Sequence, residues 1–323
     1  MDKPRVSIII PTYNEAHRIK LCLDSILNQT FPKEEMEIII VDGMSTDSTR
    51  DIILSYIDVL PIKLFDNKKR IVTYALNIGI DEAVGDYIIR MDAHAEFPSD
   101  YIEKCLYYLD RIDADNVGGI LITKGEGYFG EANAELLSSR FGVGNSQFRV
   151  GTKSGYVDTV PFGAFRAEIF KRIGNFNVNL PRSEDNDFNS RIIENGGKVF
   201  LANDISLTYY CRDDLRGLLK QGALNGNALF LTLKVNPSAM KLRHFVPFAF
   251  VCSIIFLPLL SVRYKIIRRL LLIELLLYGS LDLYFSFFAG KLKFAPYKIL
   301  AYPLFHLAYG CGSVIGLFNI KLK

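Results

Sequence analysis

The sequence predicts an α/β domain on an open, mostly parallel sheet, followed by a region of apolar helices. Three observations predict it. Short β-branched runs alternate with stretches of helical spacing between residues 6 and 91. Three long apolar segments are packed into the C-terminal quarter of the chain. The charge divides at the same place: from Lys241 onward eleven Lys or Arg face two acids, a net of +9, whereas residues 1–240 hold 27 basic and 33 acidic residues, a net of −6. The expected organisation is a globular domain over 1–240 and a hydrophobic, membrane-associated helical region over 241–323.

Composition narrows the function classes. With 50% apolar and 12% aromatic residues among 323, the chain is not intrinsically disordered, and its 24 glycines follow no collagen-like repeat. The acidic globular part carries no basic stripe with interleaved aromatics, so nucleic acid is not an expected partner. A basic, apolar tail instead suits a membrane with anionic head groups. The five cysteines show no CxxC spacing and are odd in number, which reads as reduced structural thiols and not as a disulfide or zinc framework. The first apolar run is too short for a signal-peptide core, so the globular part is expected in the cytoplasm.

The elements follow in order. VSIII (6–10) and MEIIIV (36–41) are continuous apolar runs that suit strands buried on both faces. Between them Ala16, Ile19, Leu23, Ile26 and Leu27 recur at helical spacing, with Asn14 placed to cap. Asp47 is placed to cap a helix after the second strand, PIKLF (61–65) is a third extended piece, and a helical stretch over 70–83 leads to a fourth strand, DYIIRM (86–91). Asp100 and Glu103 stand at capping-box spacing before another helix. Residues 116–158, glycine-rich and without clear periodicity, read as a binding loop. Residues 183–197 read as a helix with an acidic first turn and a glycine stop, and 213–233 as the helix that closes the domain. The apolar segments 245–262, 270–289 and 299–318 are each long enough to cross a bilayer core of ~30 Å. Basic linkers on every side, two prolines in the first segment and Glu274 with Asp282 in the second weigh against three simple crossings, leaving re-entrant or interfacial helices and a buried helical core as alternatives.

Polar residues gather where the strands end, the place where open α/β sheets bind ligands. After the first strand, Pro11, Thr12, Tyr13, Asn14 and Glu15 form a polar turn, which a proline turn and a helix cap would equally explain. Asp42 and Gly43 hold the corresponding place after the second; a carboxylate there can accept from a nucleobase N–H, and Asp-Gly is also a common turn. In RMDAHAEF, Asp92 and His94 are two apart, so on an extended segment both face one metal or one diphosphate. Imidazole with carboxylate suits Mn²⁺ better than Mg²⁺; a solvated strand end is the alternative. No HxxxH, P-loop or complete GxGxxG points to other chemistry. SEDND offers Glu184, Asp185 and Asp187. Glu184 and Asp187 read as complements to the helix dipole, and Asp185 as the better candidate for a base that deprotonates an attacking hydroxyl.

Taken in order, IIIPTYNEA, VDGMSTDST, NIGIDEAVGDYIIRMDAHA and SEDNDFNSRI resemble the inverting family-2 glycosyltransferases of GT-A fold, over roughly residues 5–235. DAHA, FGVGNSQFR, VDTVPFGAFR and the late HLAYGCGSVIGL are similar to its membrane-associated subgroup that includes the succinoglycan-biosynthesis glucosyltransferase. The resemblance implies that Pro11, Thr12, Tyr13, Glu15 and Asp42 cradle the uridine of a UDP-sugar. It implies that Asp92 and His94 occupy the DxD element, which holds the ribose and a divalent metal, with His94 in place of the usual second aspartate. Asp185 matches the general base of the ED motif beside Glu184. Arg166 faces the acceptor or caps the next helix. Gln221 begins QGALNGN, the counterpart of the QxxRW element of processive members, whose arginine and tryptophan are missing here. The implied activity is transfer of one sugar at a time, with Mn²⁺ ahead of Mg²⁺ as cofactor, to a lipid-linked, polyprenyl-diphosphate saccharide in polysaccharide or glycan biosynthesis. The implied place is the cell membrane with the catalytic domain in the cytoplasm. A polyprenyl-phosphate hexosyltransferase and a non-catalytic nucleotide-binding assembly subunit are the alternatives.

Overall fold

The computed structural model describes residues 3–151, 153–320 and 322. Lys321 and Lys323 of the terminal basic run, and Thr152 of the glycine-rich stretch, lie outside the described residues. The chain forms two compact units, one of Met1–Ile122 with Gly151–Tyr209 and one of Thr123–Val150 with Tyr210–Lys323. This division follows contacts and differs from the division by composition at residue 240.

The first unit alternates strand and helix: β1 (Val6–Thr12), α1 (Ile19–Leu27), β2 (Met36–Asp42), α2 (Thr49–Leu54), β3 (Ile62–Asp66), α3 (Val72–Glu82), β4 (Tyr87–Arg90), β5 (Ala95–Glu96) and α4 (Tyr101–Arg111). β6 (Asn116–Lys124) leads out of it. In the second unit follow α5 (Gly127–Leu137), α6 (Arg140–Val143) and α7 (Gln147–Val150). The chain then returns to the first with β7 (Gly155–Tyr156), β8 (Ala164–Arg166), α8 (Glu168–Ile173), α9 (Glu184–Glu194) and β9 (Val199–Tyr210). The remainder is helical: α10 (Leu215–Val235), α11 (Leu242–Ser261), α12 (Lys265–Phe287) and α13 (Ala295–Leu317).

Among the described residues the sheet runs β3-β2-β1-β4-β8-β6-β9-β5, with β7 beside β9. β3, β2, β1 and β4 pair in parallel, and all their carboxyl ends lie at one edge. Ile8, Ile9, Ile10, Ile38, Ile39 and Ile40 are essentially inaccessible, as expected of strands with both faces covered. α1 turns Ile19, Cys22, Leu23 and Ile26 inward. Beyond β4 the pairing becomes antiparallel, at β4–β8, β6–β8, β5–β9 and β7–β9. The glycine stop expected after residue 195 is present: Gly196 has φ of 77° and Gly197 N–H donates to Ile192 O at 2.9 Å.

Three local expectations are corrected. Residues 116–158 are not one open loop, because β6 and α5 to α7 lie within them and α5 buries Ala132, Asn133, Leu136 and Leu137. Asn14 does not cap α1, which begins after Arg18; its side chain accepts instead from Thr46 N–H at 2.8 Å. Asp100 precedes α4 but makes no capping bond, its carboxylate pairing with Lys104 at 2.9 Å.

Candidate active site

The loops after β1 and β2 are tied to each other before any ligand is considered. Asn14 N–H donates to Ser45 Oγ, Thr46 N–H to Asn14 Oδ1 and Glu15 N–H to Thr49 Oγ1, each at 2.8 Å. These bonds hold two non-glycine residues in the left-handed region, Asn14 at φ 52° and Met44 at φ 61°. Such conformations cost ~1–3 kcal/mol each and persist only where the surroundings fix them. Tyr13 lies over Gly43, where a Cβ would stand 3.1 Å from the ring, and the Arg70 guanidinium carbon sits 5.5 Å from the centroid of the same ring. Tyr13 remains 43% exposed, an aromatic face open at the strand ends.

Thr12 and Asp42 are direct neighbours in the β1–β2 register, and Pro11 lies beside Val41. Asp42 is fully buried and already accepts from Ser45 N–H (2.9 Å), Ser45 O–H (2.5 Å) and Arg50 Nη1 (3.0 Å). It therefore organises the β2 loop whether or not it also receives a base.

At the end of β4 the chain departs from the expected extended geometry. The strand stops at Arg90, and Ala95 N–H donates to Asp92 O at 3.0 Å, closing a turn. Strand alternation therefore does not direct Asp92 and His94 to one ligand. His94 Nδ1 stands 3.2 Å from Glu15 Oε1, and its ring meets Tyr209 edge-on at 5.3 Å. Asp92 turns to Arg90 instead.

Arg90 is the centre of the site. Its guanidinium is buried, with Nε 2.9 Å and Nη2 3.3 Å from the two oxygens of Asp92. Nη1 donates to Glu184 Oε1 at 3.0 Å and to Asp185 Oδ1 at 2.8 Å. Phe162, at φ 49°, places its ring 5.6 Å from the guanidinium carbon. Three carboxylates around one cation satisfy its fork of donors. Burial is the largest influence on Asp185 and pushes its carboxyl up; Arg90 opposes this, Glu184 and Asp92 add to it, and the result stands at about 7. A carboxyl that ionises near neutrality is suited to take a proton.

α9 is held in place by its buried Asn189, which accepts from Asn116 Nδ2 at 2.6 Å and donates to Thr159 Oγ1 at 2.9 Å and Val160 O at 3.1 Å. Ser183, at φ 61°, sets the entry of α9. Asp187 accepts from Arg191 on the same helix at 3.1 Å, and Glu184 accepts from Arg90, a contact beyond complementing the helix dipole.

Arg166 is not brought to this place, and Gln221 belongs to the other unit. Arg166 pairs with Tyr87 at the amino end of β4, lines a cleft of about 640 Å³ there, and donates to Leu109 O at the end of α4. It neither faces the carboxyl-end site nor caps α8, whose preceding residue, Ala167, makes no capping bond. The cleft it lines carries none of the site's acids. Gln221 belongs to the second unit, on α10, with its Oε1 buried and without a hydrogen-bond partner. Arg90 and Arg50, in turn, are residues that sequence reading passed over. For Arg90 the available signal was a charge at the end of a buried apolar strand, which must be paired.

No three His, Cys, Asp or Glu side chains among the described residues form a group able to hold a metal ion alone. Asp92 and His94 offer a carboxylate and an imidazole, two donors of the kind that hold a divalent cation together with phosphate oxygens of a substrate. Their donor types suit such a shared cation, while in this arrangement Asp92 faces Arg90 and His94 faces Glu15.

The family model described as glycosyl transferase family 2 matches residues 7–174, a stretch that ends before α9. The chain is 33% identical over 238 residues to a dolichyl N-acetyl-alpha-D-glucosaminyl phosphate 3-beta-D-2,3-diacetamido-2,3-dideoxy-beta-D-glucuronosyltransferase of Methanococcus voltae, covering 71% of this chain and 74% of that one. It is 31% identical over 250 residues to the succinoglycan biosynthesis protein ExoA of Rhizobium meliloti, covering 72% and 76%. Its fold is similar to that of a Pyrobaculum calidifontis mannosyltransferase solved with GDP-mannose and Mn²⁺, with a TM-score of 0.67, 19% identity and coverage of 99% and 88%.

Proposed function

This chain belongs to glycosyl transferase family 2, and from that premise we propose that it transfers a single sugar from a UDP-sugar, with inversion, to a lipid-linked saccharide. It is a glycosyltransferase of GT-A fold. The observation that carries the finer reading is the meeting of Asp92 and Asp185, far apart in sequence, on the one guanidinium of Arg90.

In this reading Tyr13 stacks on the uracil, while Pro11, Thr12, Glu15 and the loop organised by Asp42 enclose the nucleoside. Asp92 and His94 would hold a divalent cation, with Mn²⁺ preferred for its tolerance of imidazole, and that cation supplies stabilisation of charge on the departing diphosphate. Asp185 takes the proton of the attacking acceptor hydroxyl. Attack on the face opposite the leaving diphosphate inverts the anomeric centre. Arg90 keeps Asp185 partly ionised and aims it, and Glu184 shares the same cation. Gln221 and Arg166 are given no part in the reaction.

The lipid-linked acceptor, in this reading a polyprenyl diphosphate saccharide, is supported by three helices among the described residues that are long and apolar enough to cross a membrane and by the dolichyl phosphate-linked sugar in the name of the Methanococcus voltae relative. A cytoplasmic catalytic domain is part of the same proposal.

The test is transfer from labelled UDP-sugars into lipid extract by membranes containing the protein, with Mn²⁺ or EDTA, for wild type and Asp185→Asn. Metal-dependent label in lipid that vanishes in the variant supports the reading and names the donor. Full activity of Asp185→Asn refutes the assignment of the base. Label attached directly to a lipid phosphate, with no intervening sugar, would show a polyprenyl-phosphate hexosyltransferase instead.

A further inference from the structure

Among the described residues three helices meet the length and apolarity of a bilayer crossing, but they differ in what surrounds them. The most apolar stretch of α11 is 6% buried and that of α12 is 11% buried, against 44% for the stretch Leu292–Leu317 that contains α13. In α12, Leu270, Leu272, Ile273, Leu275, Leu276 and Leu277 are each at least 44% exposed. Residues so close in sequence cover well over half the circumference of a helix, and the remaining face carries Glu274 and Tyr278, which turn to α11. In α13, beyond its first turn, the exposed residues are Leu300, Leu304, Cys311 and Leu317, and the first three, with Phe318 just past the helix end, share one side.

The other faces of α13 are fastened within its own unit. Tyr297 O–H donates to Asn133 Oδ1 at 2.7 Å, the fully buried Lys298 pairs with Glu135 at 2.9 Å, and Tyr302 O–H donates to Ser139 Oγ at 2.9 Å. His306 Nε2 lies 2.9 Å from Phe141 O. Further along, glycines bring α10 and α13 backbone to backbone: a Cβ at Gly226 would strike Tyr309 O, and one at Gly312 or Gly316 would strike the carbonyl of Ala223 or Asn227. α13 cannot enter hydrocarbon without α10, which exposes Arg216, Lys220 and Lys234. By contrast α11 and α12 cross-link at mid-length, Ser253 O–H to Glu274 Oε1 at 2.5 Å and Phe250 stacked on Tyr278 at 4.4 Å, in antiparallel register.

Charge points the same way. Three crossings would divide the eleven basic residues of the tail five against six, with no bias. If α13 does not cross, 241–244, 291–298 and 321–323 share a side that gathers at least seven of the eleven.

We propose that, of these helices, only α11 and α12 enter the hydrocarbon core, and that α13 lies along the membrane interface with Leu300, Leu304, Cys311 and Phe318 toward the acyl chains. The start of α11 and both ends of α13 then lie on one side of the membrane. The proposal rests on the membrane anchoring read above and is independent of the catalytic assignment.

The experiment uses the full chain in inverted membrane vesicles. Cys22, Cys105 and Cys211 are buried and remain, while Cys252→Ala and Cys311→Ala remove the accessible thiols. Leu242→Cys, Leu292→Cys or Ile320→Cys, at side chains 84%, 65% and 57% exposed, is then labelled with an impermeant maleimide before and after detergent. All three should label to the same extent before detergent. Labelling of Leu292→Cys and Ile320→Cys from opposite sides would overturn the proposal. Nitroxides at Leu304→Cys and Leu276→Cys give a second readout by accessibility to oxygen: the first should lie shallow and the second deep, and equal depth would overturn it. A chain found wholly in the soluble fraction would overturn the anchoring together with the proposal, whereas correct labelling without sugar transfer would count against the enzymatic reading alone.

Discussion

Replacing Arg90 by lysine keeps the charge and removes the fork. The guanidinium makes four contacts of 2.8–3.3 Å to Asp92, Glu184 and Asp185. An ammonium is a compact point charge and cannot span all three carboxylates. The side chains of Arg90, Asp92, Glu184 and Asp185 are 6%, 12%, 11% and 25% exposed, so solvent screens little of what is lost. Breaking a buried pair outright costs ~3–5 kcal/mol. Retaining the charge while losing two or more of the four contacts should leave about 2.7 kcal/mol of that, a hundredfold in kcat/KM. The direction with pH is also fixed. Arg90 favours the ionised form of Asp185, so weakening it raises the pH at which that carboxyl gives up its proton, and the rise of the rate should move upward from about 7. Sugar transfer against pH, with UDP affinity and thermal melting measured beside it, separates lost aim from lost fold. Arg90→Lys with wild-type kcat/KM and an unmoved profile would refute the reasoning.

In the wild type, transfer should climb as pH rises through about 7, because Asp185 acts only when deprotonated; a rate independent of pH across neutrality sinks the assignment. Glu37 is buried, and although burial pushes its carboxyl up, hydrogen bonds from Lys63, Ser7 and Val84 N–H together hold it below the usual range. Its contribution is present above the unfolded-state value of ~4.3 and is lost as pH falls through the lower folded value. Glu37→Gln should therefore lower stability by ~1–3 kcal/mol at neutral pH and by less in acid, as denaturant melts at several pH values would show; an equal loss at every pH contradicts the linkage. Gly226→Val should strike Tyr309 O and cost ~1–3 kcal/mol through overpacking, visible as a lower Tm of the detergent-solubilised chain. An unchanged Tm would mean that α10 and α13 do not lie against each other.

Much of the donor-binding half was legible in the chain itself. The runs at 6–10 and 36–41 are too apolar for anything but doubly covered strands, and their polar ends had to form loops at one edge. The glycine stop of α9 was legible because it is local chemistry. β9 was not, because Asn203 and Asp204 interrupt its apolar pattern and two of its partners, β5 and β7, are only two residues long. Asp185 stood out from its neighbours in the acidic turn as the better base candidate, and the family resemblance matched it to the ED motif.

What only tertiary structure decided is pairing between distant residues. Arg90 is an ordinary strand-end residue until α9 brings Glu184 and Asp185 against it, and Asp92 and His94 share a motif yet turn to Arg90 and Glu15. The three apolar segments of the tail look alike in composition, and only their neighbours separate them. Residue types fix which surfaces avoid water. Whether such a surface meets lipid or protein depends on what the rest of the chain packs against it, as α10 does against α13.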